Sequence, residues 1–317
     1  MIYQRTLRDT VSCTGVGVHS GVNATLTLKP GEINGGFVFV RTDITDKDNV
    51  ILGRYDKVTE TQLCTVLSNE SGASISTVEH VLSALVACGV DNATIEIDGP
   101  EMPIMDGSAA HFVDMIENVG TKRQNAAKRF LKLNKTVTYT EGDMSVTLSP
   151  SYHPTWAMDI DFSAKSKVVG QQSYCFEGDL DAYKRKIARA RTFGFLHEVE
   201  ALQKMGLARG GSLDNAIVVD GDKILNPGGL RLENEFVRHK ILDAIGDIAL
   251  AGAPVLADYH GSKAGHAMNN KVLRAVFADQ SNYEWVTSEE IQSILAVTSP
   301  IRVSYSAPSA DAFALLG

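Results

Sequence analysis

A pattern of strands followed by a helix occurs twice in this chain and narrows its architecture more than any bulk property does. TVSCTGVGVHSGVNATLTLKP, starting at Thr10, and TVTYTEGDMSVTLSP, starting at Thr136, both open with T-V-x-x-T, pass a glycine and close with T-L-x-P. In the first, Val22, Ala24, Leu26 and Leu28 alternate with other residues. That is the period of a strand with one buried face, so each stretch is expected to form a β-hairpin. Further along, STVEHVLSALVACGV and EFVRHKILDAIGDIALAGA carry helical patterns, and each contains V-x-H. Two related halves of this kind predict an α+β fold of two domains, each layering a small sheet and helices, with the active site between them. The polar stretch NVGTKRQNAAKR, residues 118–129, is the expected boundary, because apolar periodicity lapses there. The domains are then 1–122, carrying Glu79 and His80, and 130–303, carrying His239, Asp243 and His266.

Composition matters here mainly for what it excludes. At 44% apolar and 21% charged residues the 317-residue chain is an ordinary globular one, not a disordered one. A net charge of -8 argues against a general nucleic-acid-binding face, which needs a basic surface. No apolar run approaches the ~18 residues of a membrane span. The start, MIYQRTLRDT, has no apolar segment of the signal-peptide type. Cys13, Cys64, Cys88 and Cys175 lie far apart without a C-x-x-C pair, so neither a disulfide framework nor a thiolate metal site is signalled. A soluble protein of a reducing compartment, the cytoplasm, is expected.

Two helical segments carry the residues of chemical interest. In the first, Val78, Val81, Leu82, Leu85 and Val86 make one apolar stripe. His80 falls on the opposite side, with the small residues Ala84 and Ala87 at i+4 and i+7. Ser76 to Glu79 also has the form of a capping box, in which the glutamate reaches back to the helix N-cap. In the second, Val237, Ile241, Ala244, Ile245 and Ile248 form the core stripe, while His239, Asp243, Gly246, Asp247 and Leu250 share the other side. His239 and Asp243, at i and i+4, project side by side and are able to share one ion. Each helix alone is equally compatible with a hydrated polar face. Together they offer two histidines and an aspartate, the three N/O ligands of a catalytic zinc site with its fourth position open. Glu79 sets a carboxylate next to that site. A Lewis acid beside a general base is what hydrolysis of an amide or ester at neutral pH requires.

These residues sit in segments that resemble a known family. TGVGVHSG (14–21), STVEH (76–80), PIMDGSAAHF (103–112), RARTFGF (189–195), GGSLDNAIVV (210–219), FVRHKILDAIGD (236–247) and GSKAGHAMNN (261–270) occur in order over nearly the whole chain. They resemble the UDP-3-O-acyl-N-acetylglucosamine deacetylases, zinc amidases of lipid A biosynthesis in Gram-negative bacteria. The resemblance implies one Zn²⁺, with Fe²⁺ as the alternative, held by His80, His239 and Asp243. It implies Glu79 as general base and His266 as the cation that stabilises the oxyanion and protonates the leaving amine. Asp247 would pair with His266 and keep it charged, since a nearby carboxylate raises a histidine pKa.

Thr192 matches a hydroxyl that helps hold the oxyanion, Lys240 a lysine that meets the substrate, Phe162 an aromatic near the uridine and Phe193 a pocket residue. The acyl chain of the substrate needs an apolar channel, expected from a strand–helix–strand insert at about 193–219 with Val199, Leu202 and Leu213 as liners. The implied partner is an acylated UDP-sugar, met by a monomer that has no membrane anchor but works close to the inner membrane. Several positions depart from the family pattern. Met144 stands where a phosphate-binding lysine is frequent. SAKSKV at 163–168 lacks the usual His-Pro and brings two lysines. Glu198 and Gln62 replace a frequent aspartate and an apolar residue. None of the proposed ligands, base or acid is affected.

Overall fold

The computed structural model describes residues 2–291, so the expected second domain's last residues, 292–303, lie outside the described residues. Both hairpins form. Val11–Val16 pairs with Asn23–Pro30, and Val137–Glu141 with Met144–Pro150, antiparallel in each case. The second is closed by the two residues Gly142 and Asp143, with Glu141 opposite Met144. Gly142 takes φ +62°, which a tight hairpin turn requires and a glycine supplies without strain. The first hairpin has a longer connection, residues 17–22, and this loop carries His19. Val22 belongs to that loop and is 48% exposed. The alternation therefore holds for Ala24, Leu26 and Leu28, all buried, and not for Val22.

The two halves repeat one sheet topology. In the first, the hairpin's inner strand pairs antiparallel with Ala93–Ile97, which pairs parallel with Phe37–Arg41, which pairs antiparallel with Val50–Leu52. In the second, the same path runs from the hairpin to Val255–Ser262, then Trp156–Asp161, then Gln171–Phe176, with the same sequence of directions. The second sheet is extended by Arg129–Leu133 and Tyr283–Thr287. Such an α+β arrangement follows from strands whose alternate residues are apolar: Leu26, Leu28, Ile95 and Ile97 are fully buried on one face. The polar stretch at the expected boundary is not irregular. Its residues Thr121–Ala127 form a strand antiparallel to Tyr3–Leu7, so chain connectivity between the halves passes through paired backbone.

Among the described residues, the α-helices that pack on this framework include α1 (Glu79–Ala87), α2 (Ala110–Val119), α3 (Leu180–Lys186), α4 (Leu196–Lys204), α5 (Glu235–Ile248) and α6 (His266–Phe277). Helices α1 and α5 lie against each other, one from each half. Neither keeps the hydrated face that its sequence allows. In α1 every residue from Glu79 to Leu85 is buried, and in α5 only Arg238 and Lys240 are not. Gly246 explains how the helices come so close. A Cβ at this position would lie 2.0 Å from the Glu79 carbonyl oxygen, so only glycine lets the two backbones touch. In the segment from 193 to 220, Phe193–Phe195 runs parallel to Ile217–Asp220, with α4 between them. No helix among the described residues is long and apolar enough to cross a membrane.

Candidate active site

Local backbone structure at the start of α1 places the first two functional groups. Thr77 adopts φ +60° and Val78 is the N-cap, so the helix opens with Glu79 and His80. The capping box expected from Ser76 to Glu79 is absent. The Ser76 hydroxyl donates to the Pro100 carbonyl at 3.2 Å instead, and the Glu79 carboxylate turns inward to accept the Thr65 N–H at 3.2 Å. The left-handed residue between them rotates the serine off the helix axis. On α5, His239, Asp243 and Asp247 stand at successive turns, and His266 is the first residue of α6.

His80, His239 and Asp243 converge from the two helices and are 4%, 2% and 3% exposed. Asp243 Oδ1 lies 3.5 Å from His80 Nε2 and 3.3 Å from His239 Nε2, and the imidazoles meet edge to face at 5.0 Å. Distances of this size match the donor spacing, about 3.3 Å, that a tetrahedral ion held at about 2.0–2.1 Å imposes. Two further observations fit a cation. Asp243 Oδ1 is buried with no hydrogen-bond partner. His239 Nδ1 lies 3.0 Å from the Ala190 carbonyl, which only accepts, so Nδ1 carries the proton and Nε2 presents its lone pair. Burial lowers the His239 pKa to about 4, against the pull of Asp243, and keeps that ring neutral. Burial also opposes ionisation of Asp243, but His239, Lys240 and the neighbouring His80 outweigh it and hold the carboxyl well below its ordinary range. Three oxygen and nitrogen donors of this kind make a candidate His-His-Asp metal site.

Glu79 and His266 flank this cluster. His266 Nε2 is 3.7 Å from Glu79 Oε1, and His266 Nδ1 donates to Asp247 Oδ2 at 2.9 Å. Burial disfavours the His266 cation, but the carboxylates of Asp247 and Glu79 more than compensate and raise its pKa to about 9. Burial raises the Glu79 pKa, partly offset by His266 and His80. Asp247 is itself tightly held: Oδ1 accepts the Thr65 hydroxyl at 2.6 Å and Oδ2 the Asn269 amide at 2.9 Å. The Tyr259 hydroxyl in turn donates to Asn269 Oδ1 at 2.7 Å.

One cavity of ≈ 510 Å³ opens onto this centre. Its wall contains Glu79, His80, His239, Asp243 and His266, together with Thr192, Phe193, Lys240, Val199, Leu202 and Leu213. Lys240 Nζ sits 3.4 Å from Asp243 Oδ2. Asp247 stands behind His266 and not in the wall. Phe162 is not in the wall either; its ring meets Phe193 edge-on at 5.6 Å and Phe195 at 5.7 Å. Arg191 and Glu235, a buried pair at 2.8 Å, anchor the segment that leads through Thr192 into the strand Phe193–Phe195 to the start of α5. Of the two lysines in SAKSKV, Lys165 is already paired with Glu198 at 2.6 Å, and it lies over the Phe195 ring. Cys64 is buried, and burial pushes its thiol well up, so it is unreactive.

Sequence reasoning missed Thr65, Asn269, Tyr259 and the Ala190 carbonyl, all of which hold functional groups in place. It also passed over His19, in the cavity wall with a buried, unpartnered Nδ1, and Glu101, which accepts the His19 and Ser20 N–H groups. Asn269 lies within GSKAGHAMNN and was open to notice; a lone threonine or carbonyl carries no chemical signature.

The sequence profile of the UDP-3-O-acyl N-acetylglycosamine deacetylases matches residues 4–278. The UDP-3-O-acyl-N-acetylglucosamine deacetylase of Vibrio vulnificus strain YJ016 is 46% identical over 301 residues, 95% of this chain and 98% of that protein. The enzyme of the same name from Shewanella loihica is 45% identical over 294 residues, 93% of this chain and 96% of its own. The Shewanella woodyi enzyme of that name is 43% identical over 314 residues, 99% and 100% of the two chains. With likeness along nearly its full length, the chain belongs to the UDP-3-O-acyl N-acetylglycosamine deacetylase family.

Proposed function

We propose that this protein removes the N-acetyl group of UDP-3-O-acyl-N-acetylglucosamine, releasing acetate and the free amine, the committed step of lipid A biosynthesis. The observation that carries the reading is the placement of Glu79 and His266, 3.7 Å apart, beside the His80–His239–Asp243 cluster in one cavity. Zn²⁺, with Fe²⁺ as the alternative, is the ion proposed for those three ligands; when bound it polarises an acetamide carbonyl and acidifies a water, supplying a Lewis acid at neutral pH. Glu79, a carboxylate in a dry setting, accepts the proton of the attacking water. His266 enters the reaction charged and donates from Nε2, because its Nδ1 proton is committed to Asp247. The Thr192 hydroxyl and the His266 cation face the developing oxyanion, where fixed donors act most strongly. Lys240 supplies a positive charge for the anionic nucleotide sugar. Val199, Leu202 and Leu213 line the part of the cavity proposed to take the acyl chain. All four cysteines are unpaired, in keeping with the proposed cytoplasmic location.

The deciding experiment is acetate release from UDP-3-O-acyl-N-acetylglucosamine by the zinc-loaded protein, the chelated protein and Glu79→Ala. Turnover that falls with chelator, returns with zinc and collapses in the variant is expected. A folded, zinc-loaded protein that releases no acetate would contradict the proposed substrate.

A further inference from the structure

Thr65 touches both Glu79, the proposed base, and Asp247, the carboxylate that holds the proposed acid His266. Its backbone N–H donates to Glu79 Oε2 at 3.2 Å, and its hydroxyl donates to Asp247 Oδ1 at 2.6 Å. It is 2% exposed and is not part of the cavity wall, so no substrate in that cavity reaches it. The hydroxyl bond spans the two halves, since Thr65 precedes the strand Val66–Ser68 while Asp247 belongs to α5. Asp247 has two oxygens and three donors. His266 and Asn269 share Oδ2, and Thr65 alone occupies Oδ1. Without that third bond the carboxylate is held at Oδ2 alone and can pivot about its Cβ–Cγ bond, which loosens the direction of the imidazole it orients.

We infer that Thr65 is a positioning residue for the reaction, whose hydroxyl locks the Asp247 carboxylate and thereby aims His266 at the leaving nitrogen across from Glu79. The inference rests on the deacetylase reading above. It deepens it by assigning the relative placement of acid and base to one side chain outside the cavity.

The test compares Thr65→Val, which keeps the shape and removes the hydroxyl, with Thr65→Ser, which keeps the hydroxyl. Thr65→Val is expected to lose about 10–100-fold in kcat with KM and zinc content unchanged, and Thr65→Ser to stay within a few-fold of the parent. In an Asp247→Asn background Thr65→Val should add no further loss, because both changes act on one bond. A raised KM with unchanged kcat, or a full additional loss in that background, would overturn the inference. Should Thr65→Val not fold, Thr65→Ser decides alone: a loss as large as that of Asp247→Asn counts against the role. A readout independent of turnover separates this idea from the function itself. The downfield proton NMR signal of His266 Nδ1–H, identified by its absence in His266→Gln, should shift or vanish in Thr65→Val and persist in Thr65→Ser. A parent protein without turnover refutes the substrate reading, while this signal still decides the role of Thr65.

Discussion

His266 Nε2 and Glu79 Oε1 lie 3.7 Å apart, one at the first residue of α6 and the other at the first residue of α1. The carboxylate is buried beside a cation at a helix N-terminus, where the helix dipole by itself disfavours positive charge. The Asp247 carboxylate, 2.9 Å from His266 Nδ1, reverses that preference. On the proposed mechanism, the proton for a leaving amine is therefore held where it would be delivered.

A pH dependence follows from this arrangement. Burial works against the His266 cation but Asp247 and Glu79 prevail, raising its pKa from 6.5 to about 9. The protonated, proton-donating form is therefore already fully present at neutral pH and is lost as pH rises through about 9. NMR titration of the metal-free protein should show His266 changing charge near that pH. In the zinc-loaded enzyme the ion's charge pulls the value down, so the alkaline limb of kcat should fall lower. His266→Gln should turn over at least about 100-fold more slowly and lack that limb. An alkaline limb unchanged in the variant would assign it to another group.

Metal binding should be visible in stability. An ion that binds only the folded protein adds about 2.7 kcal/mol when its free concentration is 100 times Kd. Zinc added to chelator-treated protein is expected to raise Tm by several degrees. Asp243→Ala, which removes the ligand shared by both imidazoles, should abolish the rise. An equal rise in that variant would place the ion elsewhere.

Gly246 gives a packing prediction. Its Cα faces the Glu79 backbone so closely that an added Cβ would lie 2.0 Å from the carbonyl oxygen. Gly246→Ala must push α1 from α5, costing about 1–3 kcal/mol or more and moving Glu79 and His80 off their partners. Thermal denaturation together with kcat should show both losses. Gly228→Ala, where no atom lies within 4 Å of the added carbon, is the control and should change stability by less than about 0.5 kcal/mol. A Gly246→Ala protein as stable as this control would refute the close-contact argument.

The acyl-chain assignment is tested by Leu202→Asp. A charge in an apolar wall forfeits on the order of 1.5–3 kcal/mol of chain burial, which is at least tenfold in KM. The rise should appear with long-chain substrates and be absent with short-chain ones. Equal effects on both would show that Leu202 serves folding and not the chain.

Much of this was legible in the chain itself, and for local reasons. The duplicated hairpins follow from a period-2 alternation around a turn, and the duplicated helices from a period near 3.6; both are properties of adjacent residues. His239, Asp243 and Asp247 are legible as one functional row because the helix brings every fourth residue to the same side. Where such local rules were pressed too far they failed. The capping box at Ser76–Glu79 was displaced by a left-handed Thr77, and the hydrated faces of α1 and α5 became a buried interface.

Neighbouring residues along the chain supply the repertoire: two histidine helices, three groups able to hold a metal, a buried carboxylate and a further histidine. How those groups are poised is set by contacts between distant segments. The Ala190 carbonyl selects the His239 tautomer from 49 positions away, and Thr65 reaches Asp247 from 182 positions away. Charge state and orientation depend on what lies within a few ångströms, and in a folded chain those neighbours come from segments that sequence order keeps far apart.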